Sequence, residues 1–353
     1  MNAIEFKNVS KHYPSFSLGP LNFAIQKGEF FGIFGPPSSG KTSILKLIAG
    51  LLVPDHGALA VEGVSQGDPD LSRRRISMVF QNLALFPHMS GRENIAFPLT
   101  EAAYHRKEIE RRLEHMSSVL HIKHILAKMP AQMSGGERQR IALGRALVGD
   151  SRAILLDEPI AALDARLREE MRVELKRLQR ENSQTFVYVS HDEEEVMSIS
   201  DRVAVAIDGR IAQIGTPQDI YDRPVSTAVA RIVGAPPMNL FDGHVTDDGH
   251  YFQCANFRSP LRLEDKVLWS GKATLGVRPE DIRQASSGSS NDHLVTVESV
   301  EPLGGYTIVN AKLGNQLIRI RASGQISIAA EYNGPVAFDR RKLHLFDGSG
   351  ARR

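Results

Sequence analysis

The sequence predicts an α/β domain built on a mostly parallel sheet, carrying an inserted helical subdomain and followed by a small all-β domain. Three observations support this. Short apolar runs alternate with helical patterns through the first half of the chain. From about Ser90 to Asp150 the strand signal gives way to charged helical sequence such as HRKEIERRLEHMSSVL. Beyond Gly234-Ala235-Pro236-Pro237 the runs become short and β-like, divided by glycine-rich turns.

Taken in order, Phe30 to Phe34, Ile76 to Phe80, Ala153 to Leu156 and Thr185 to Val189 are apolar enough to be buried parallel strands. A helix is expected from Lys41 through Ile44, Leu45, Leu47 and Ile48, ending near Gly50. Another runs from Ala165 to about Glu181, with Leu167, Met171, Leu175 and Leu178 on one face. Glu137 to Val148 is helical, and Glu193 to Glu195 begins a helix at its acid-favouring end. Pro236 and Pro237 cannot continue a helix, so the domains are expected to span 1–234 and 235–353, with the helical insertion at about 90–150. In the second domain Leu275 to Val277, Leu294 to Val300, Thr307 to Lys312 and Leu317 to Arg321 read as strands, and Ser286 to Asp292 as a polar connection.

Composition excludes several classes. A net charge of +2 gives no general drive toward nucleic acid or an acidic membrane. One cysteine, Cys254, forbids an intrachain disulfide and fits a reducing compartment. No apolar run approaches the ~20 residues needed to span a bilayer, and MNAIEFKNVSKHY has no signal-peptide pattern, so a membrane role is expected to come through a partner.

Gly35-Pro36-Pro37-Ser38-Ser39-Gly40-Lys41-Thr42, with Ser43 following, fits G-x-x-x-x-G-K-[ST] between a strand and a helix. Backbone amides and the helix N-terminus suit the phosphates of ATP, Lys41 offsets their charge, and Thr42 can ligate Mg²⁺. That pattern alone says P-loop nucleoside triphosphatase. Ala153 to Leu156 leads into Asp157-Glu158, two carboxylates that are costly to bury without a cation or hydrogen-bond donors. Asp157 can orient Mg²⁺, and Glu158 can take a proton from an attacking water; the alternative is a surface acidic pair. Between the two lies Met133-Ser134-Gly135-Gly136-Glu137-Arg138-Gln139-Arg140. Its glycines permit close backbone approach to phosphate, although by itself it also reads as a capped turn.

In this position the segment resembles the Leu-Ser-Gly-Gly-Gln signature of ATP-binding cassette (ABC) ATPases, from which Met133 and Glu137 are mild departures. The resemblance implies a RecA-like cassette and further landmarks. Tyr13, placed ahead of the first strands, is the aromatic that stacks on adenine. Gln81 meets Mg²⁺ and the transporter; Ala162-Leu163-Asp164 is the D-loop; His191 in Val189-Ser190-His191-Asp192 contacts the γ-phosphate. Ser134, Gly135, Gly136, Glu137 and Asp164 then contribute to nucleotide held between two cassettes.

One departure lies in the P-loop itself. The family usually reads Gly-Pro-Ser-Gly-x-Gly-Lys, whereas Pro37 and Ser38 stand here at the Ser and Gly places. Pro36 and Pro37 have no N–H, so the phosphate cradle is expected to begin around Ser38 and to rely on Ser39 through Thr42. Ser38 is strained if its φ is positive.

Six segments, Ile214-Gly215-Thr216-Pro217, Ile220-Tyr221-Asp222-Arg223-Pro224, Gly234-Ala235-Pro236-Pro237-Met238-Asn239, Gly276-Val277-Arg278-Pro279-Glu280-Asp281-Ile282, Val300-Glu301-Pro302-Leu303-Gly304 and Leu343-His344-Leu345-Phe346-Asp347, extend the resemblance to importer ATPases of the maltose and glycerol-phosphate type. This implies an OB/TOBE-like regulatory domain and a homodimer or heterodimer of cassettes beneath two transmembrane permease subunits. It also implies an extracytoplasmic solute-binding protein, a peripheral place on the cytoplasmic side of the inner membrane, and no nucleic-acid partner. Polyamine, iron or sulfate import is the alternative within transport. Outside it stand a non-transport cassette ATPase and a regulatory binding module. His121 and His124 fall three apart on an expected helix without a third metal ligand, and Arg73-Arg74-Arg75 reads as a solvated or subunit-facing patch.

Overall fold

The computed structural model describes residues 1–65, 68, 71–285, 293–326 and 332–353. They form two compact units, 1–217 and 218–353. The first runs β1 Asn2–Tyr13, β2 Phe16–Gln26, β3 Phe30–Phe34, α1 Lys41–Ala49, β4 His56–Val61, β5 Val64–Ser65 and β6 Ile76–Val79. It continues with α2 Gly91–Glu101, α3 Arg106–Val119, α4 Gly135–Leu147, β7 Ala153–Asp157, α5 Ala165–Asn182, β8 Thr185–Ser190, α6 Glu193–Ile199, β9 Arg202–Ile207 and β10 Arg210–Gly215.

Its main sheet has the order β10-β9-β3-β8-β7-β6. All pairs are parallel except the β9–β10 hairpin. β3, β7 and β8 are buried at every position, which is why they read as unbroken apolar runs. A second, antiparallel sheet, β2-β1-β4-β5, has no counterpart among the predicted strands. The cause is visible in β1, whose register shifts twice between Phe6 and Lys11 and so breaks the period-two alternation on which strand reading depends. Tyr13, expected ahead of the first strands, is therefore the last residue of β1.

Ile44, Leu45, Leu47 and Ile48 of α1 join Phe31, Ile33 and Val187 of the main sheet and Phe6 and Val9 of the second in one core. The helical region packs α2 on α4, where Gly144 admits Ile95 and Leu120 side by side. Two expectations are corrected here. His121 and His124 do not share a helix: the first lies past α3 at φ 53° and the second in a 3₁₀ turn, Lys123–Ile125. Arg74 is not a surface residue; it is 1% exposed, donating to the carbonyls of Ile48 at 2.9 Å and Ser65 at 3.3 Å. Arg73 pairs with Asp68, and Arg75 donates to the Asp150 carbonyl.

The second unit contains α7 Pro217–Asp222 from its second residue onward, α8 Thr227–Ile232, β11 Asn239–Val245, β12 Tyr251–Gln253, β13 Leu261–Arg262 and β14 Gly271–Val277. It ends with β15 Ile282–Gln284, β16 His293–Pro302, β17 Tyr306–Leu313, β18 Gln316–Ser323, β19 Asn333–Phe338 and β20 His344–Asp347. Two five-stranded antiparallel sheets, β13-β12-β11-β14-β20 and β15-β19-β16-β17-β18, enclose a core that includes Phe241, Phe252, Leu275, Val309 and Ile318. The units divide at 217/218, ahead of the 234/235 break expected from the prolines, because the two helices are clasped into the β unit. The Arg278 guanidinium donates to the carbonyls of Val233 and Tyr221 and lies 3.9 Å from the centre of the Tyr221 ring. The polar connection Ser286–Asp292 lies outside the described residues. Among the described residues no helix is long and apolar enough to cross a membrane.

Candidate functional site

Because β3, β8 and β7 are parallel neighbours, their C-terminal ends share one edge of the sheet. Gly35, His191 and Glu158 are the residues that follow those ends, so the topology alone gathers the P-loop, the histidine and the carboxylate pair.

The loop from Gly35 to Gly40 enters α1, which differs from its neighbours at its start. In the same unit α2, α3, α4, α5 and α6 each have a side-chain cap, from Ser90, His105, Ser134, Asp164 and Asp192. The first residue ahead of α1 is Gly40, at φ 97°, with no side-chain cap and no acidic residue in the first turn. The amides of Lys41, Thr42 and Ser43 are thus left to an anion. Replacing Gly40 would be strained: besides its left-handed φ, a Cβ there would stand 2.7 Å from the Leu18 side chain, which would have to shift.

Lys41 is 7% exposed, and its ammonium donates to the carbonyls of Gly35 and Pro36 at 2.8 Å each and to Ser39 Oγ at 3.4 Å. Burial pulls its pKa down, against the charges of Glu158 and Asp157. Ser38 has φ 61°, the strained conformation expected if serine replaced glycine there. The Ser39 amide bonds weakly to Pro36 O, at 3.4 Å, so it remains available for rearrangement. A cavity of about 390 Å³ beside the loop is lined by Phe16, Pro36, Pro37, Ser38, Ser39 and Arg210, among others. The Tyr13 hydroxyl donates to Ser43 Oγ at 3.4 Å, which places the aromatic beside the first turn of α1.

Asp157, 3% exposed, ends β7 and accepts from Thr42 Oγ1 at 3.4 Å. Burial raises its pKa, the Thr42 hydrogen bond opposes that, and the Glu158 charge adds to it. A half-buried hydroxyl and a buried carboxylate meeting at this distance make an all-oxygen donor set, which fits a small hard cation such as Mg²⁺. Glu158 has φ 50°, unusual for a non-glycine residue and worth about 1–3 kcal/mol of strain. It is held on three sides. Its amide donates to Val189 O at 2.9 Å, its Oε1 lies 2.8 Å from His191 Nδ1, and its carbonyl accepts from Gln139 Nε2 at 2.8 Å.

Ser134 to Glu137 opens α4 with reciprocal caps. Glu137 N donates to Ser134 Oγ at 3.2 Å, and Ser134 N donates to Glu137 Oε2 at 2.6 Å. Lys128, 2.9 Å from Glu137, holds the carboxyl down at about 2, so this departure from glutamine brings its own counter-ion. Gly136 lies against the D-loop, where a Cβ would come within 3.3 Å of Ala162 O. Asp164 caps α5 by accepting from Leu167 N at 3.0 Å.

The fold thus brings Tyr13, Lys41, Thr42, Ser43, Asp157, Glu158 and His191 into one neighbourhood. It does not bring Gln81 into contact with them: that side chain is exposed past β6 and, among the described residues, makes no hydrogen bond or ion pair with the cluster. The partners of Ser134 and Glu137 lie within α4 and its approach. Gln139 is the site residue that motif reading passed over. Its partners are backbone groups of Glu158 and Ala162, far along the chain, so no local period marks it.

Comparison with known proteins bears on the whole chain. Residues 18–161 match the ABC transporter family, 234–282 the MalK OB fold domain, and 275–346 the TOBE domain. The trehalose/maltose import ATP-binding protein MalK of Thermococcus litoralis is 38% identical over 347 residues, covering 93% of this chain and 92% of that protein. The sn-glycerol-3-phosphate import ATP-binding protein UgpC of Rhizobium meliloti is 38% identical over 358 residues, covering 100% of both. Among solved structures, the dimeric post-hydrolysis ATP-binding cassette MJ0796 bound to ADP and Pi matches with a TM-score of 0.57 and 31% identity. That match covers 61% of this chain and 98% of the cassette.

Proposed function

As the chain belongs to the ATP-binding cassette family of ABC transporters and is an ATPase of that family, we propose that it energises import of a sugar, polyol or glycerol-phosphate-type solute. The observation that carries the catalytic part is the convergence of Lys41, Thr42, Asp157, Glu158 and His191 on one edge of a parallel sheet.

In this reading Tyr13 stacks on adenine, and the amides of Ser38 through Ser43 take the phosphates. The Lys41 ammonium leaves the Gly35 and Pro36 carbonyls for the β/γ oxygens. Thr42 and Asp157 would hold Mg²⁺, which would supply charge neutralisation at the phosphates, and Gln81, apart from them in this structure, would have to move to join them. Glu158 accepts a proton from the attacking water while its oxygen adds to the γ-phosphorus and the bond to the ADP oxygen breaks. His191 keeps the Glu158 carboxylate oriented through the 2.8 Å contact and faces the γ-phosphate. Ser134, Gly135, Gly136, Glu137 and Asp164 cover the nucleotide of a second cassette, so that phosphate charge draws two subunits together and its release lets them part.

Permease subunits complete the transporter, with a solute-binding protein outside, and the chain sits at the cytoplasmic face through them. A suitable surface is the cavity of about 680 Å³ lined by Leu51, Ile76, Met78, Phe80 and Pro98, among others; Leu51 is a large apolar side chain left exposed. The import reading rests on full-length likeness to two import ATP-binding proteins, including their C-terminal domains.

Cells lacking this chain should lose uptake of a radiolabelled sugar, polyol or sn-glycerol 3-phosphate, and the parent sequence should restore it. Unchanged uptake of all of them would overturn the solute class. A purified chain without magnesium-dependent phosphate release would contradict the proposed mechanism.

A further inference from the structure

Gln139 is 4% exposed, yet it carries two polar atoms into the interior, and both are matched. Its Nε2 donates to the carbonyl of Glu158 at 2.8 Å, and its Oε1 accepts from the amide of Ala162 at 2.8 Å. One planar amide therefore bridges the two ends of Glu158–Ala162, the turn that leaves β7 for the D-loop. The turn needs such a brace. Glu158 sits at a left-handed φ that a β-substituted residue leaves unless its surroundings forbid it. Its amide is fixed by Val189 and its carboxylate by His191, while its carbonyl accepts from Gln139 Nε2 at 2.8 Å and, only weakly, from Ala161 N at 3.4 Å, so Gln139 is its principal tether. Gly136, three residues earlier on the same helix, packs on the carbonyl of Ala162, so α4 grips the turn at two points.

We propose that Gln139 is a positioning residue for hydrolysis: it sets the backbone of Glu158 and of Ala162, and so aims the carboxylate that takes the proton from water. This rests on the reading of Glu158 as the general base. It also joins two parts of the machinery within one subunit. The start of α4 carries Ser134 to Gly136, read above as the cover for a second cassette's nucleotide. Through Gln139 any displacement of that helix start reaches this subunit's own Glu158.

The test is a double-substitution cycle on the full-length chain, read as phosphate release against ATP concentration. Gln139→Met keeps the length and loses both hydrogen bonds. Gln139→Glu keeps an acceptor for Ala162 and loses the donor to Glu158. Each is expected to lower kcat about 10- to 100-fold with the KM for ATP within threefold, because the phosphate-binding residues are untouched. On a Glu158→Gln background the same changes should cost less than twofold further, since Gln139 acts through the residue already removed. Parental kcat in Gln139→Glu, with Glu158→Gln inactive, would overturn the proposal while leaving the general base in place. So would an equal further loss on the Glu158→Gln background, the mark of a residue that only supports folding. Near-parental turnover of Glu158→Gln alone would instead remove the general-base reading, and the single variant reveals it. Should Gln139→Met be isolated unfolded, Gln139→Glu, which keeps shape and one bond, decides by the same ratios.

Discussion

The two units set buried polar groups in different surroundings. In residues 218–353 Asn239, Thr307 and Arg278 are tied to backbone. Asn239 donates to Val277 O and Arg319 O and accepts from Arg319 N, Thr307 donates to Gly324 O, and Arg278 clasps Val233 and Tyr221. These bonds join strands and helices that are distant in sequence, and their role is complete once the fold forms. In residues 1–217 the buried Lys41 and Asp157 stand together at one strand edge, Lys41 donating to the Gly35 and Pro36 carbonyls and Asp157 accepting from Thr42 at 3.4 Å, with pKa values moved chiefly by burial. Backbone strain follows the same division. All eleven described non-glycine residues with positive φ, Ser38 and Glu158 among them, lie in the first unit. Buried polarity with settled partners marks architecture, whereas buried polarity combined with strain and a shared strand edge marks chemistry.

The largest effect that sharpens this contrast belongs to Glu158. Glu158→Gln preserves shape and should lower steady-state phosphate release by about 10²–10⁴-fold, while fluorescent MgATP still binds. Near-parental turnover would break the comparison, because the strain at φ 50° would then have no catalytic counterpart.

His344 probes the second unit. It is 7% exposed, its Nδ1 has no hydrogen-bond partner among the described residues, and burial pushes its pKa from 6.5 to about 4, with the Arg352 and Arg278 charges adding to the shift. The folded value is depressed, so the unfolded chain binds the extra proton first. Stability is full above the unfolded pKa and falls as pH drops through the window from 6.5 to about 4. Between pH 7 and 5 the loss should be about 2 kcal/mol. Denaturant unfolding of the β unit in the full chain should show it, and His344→Gln should remove that part of the pH dependence. An identical acid loss in the variant would mean that the histidine ring is hydrated in the folded state.

The smallest effect concerns the P-loop. The pair Pro37→Ser, Ser38→Gly relieves a left-handed serine and should raise stability by about 0.5–1 kcal/mol. ATP affinity should stay within about tenfold of the parent, because the amides of α1 and Lys41 do most of the binding. Lys41→Ala in the same titration should weaken binding more. If the double substitution rescued a parent that scarcely binds ATP, the strain at Ser38 would be a defect of the site.

Much of the first unit was legible in sequence because its decisive elements are local. β3, β7 and β8 are continuous apolar runs, α1 has its periodic face and a terminal glycine, and each motif residue sits directly at the end of such an element. The second unit was legible only in outline. The β16, β17 and β18 runs were visible, whereas the short β12, β13 and β15 carry too few residues for any period to show.

By itself the sequence pointed to the residues proposed to bind phosphate, hold a divalent cation and activate water, since these proposals follow from residue type and spacing within a few positions of one another. Tertiary structure alone decided the rest. It closed β1 and β2 into a sheet with β4 despite broken alternation, and it placed Tyr13 at a strand end against Ser43. It buried Arg74 against the end of α1, gathered α7 and α8 into the β unit around Arg278, and set Gln139 between Glu158 and Ala162. In each of these cases the partner is a backbone carbonyl or amide, or a side chain, remote in sequence. Such groups leave no compositional trace, because every residue type carries the same backbone, and only the path of the chain determines which ones meet.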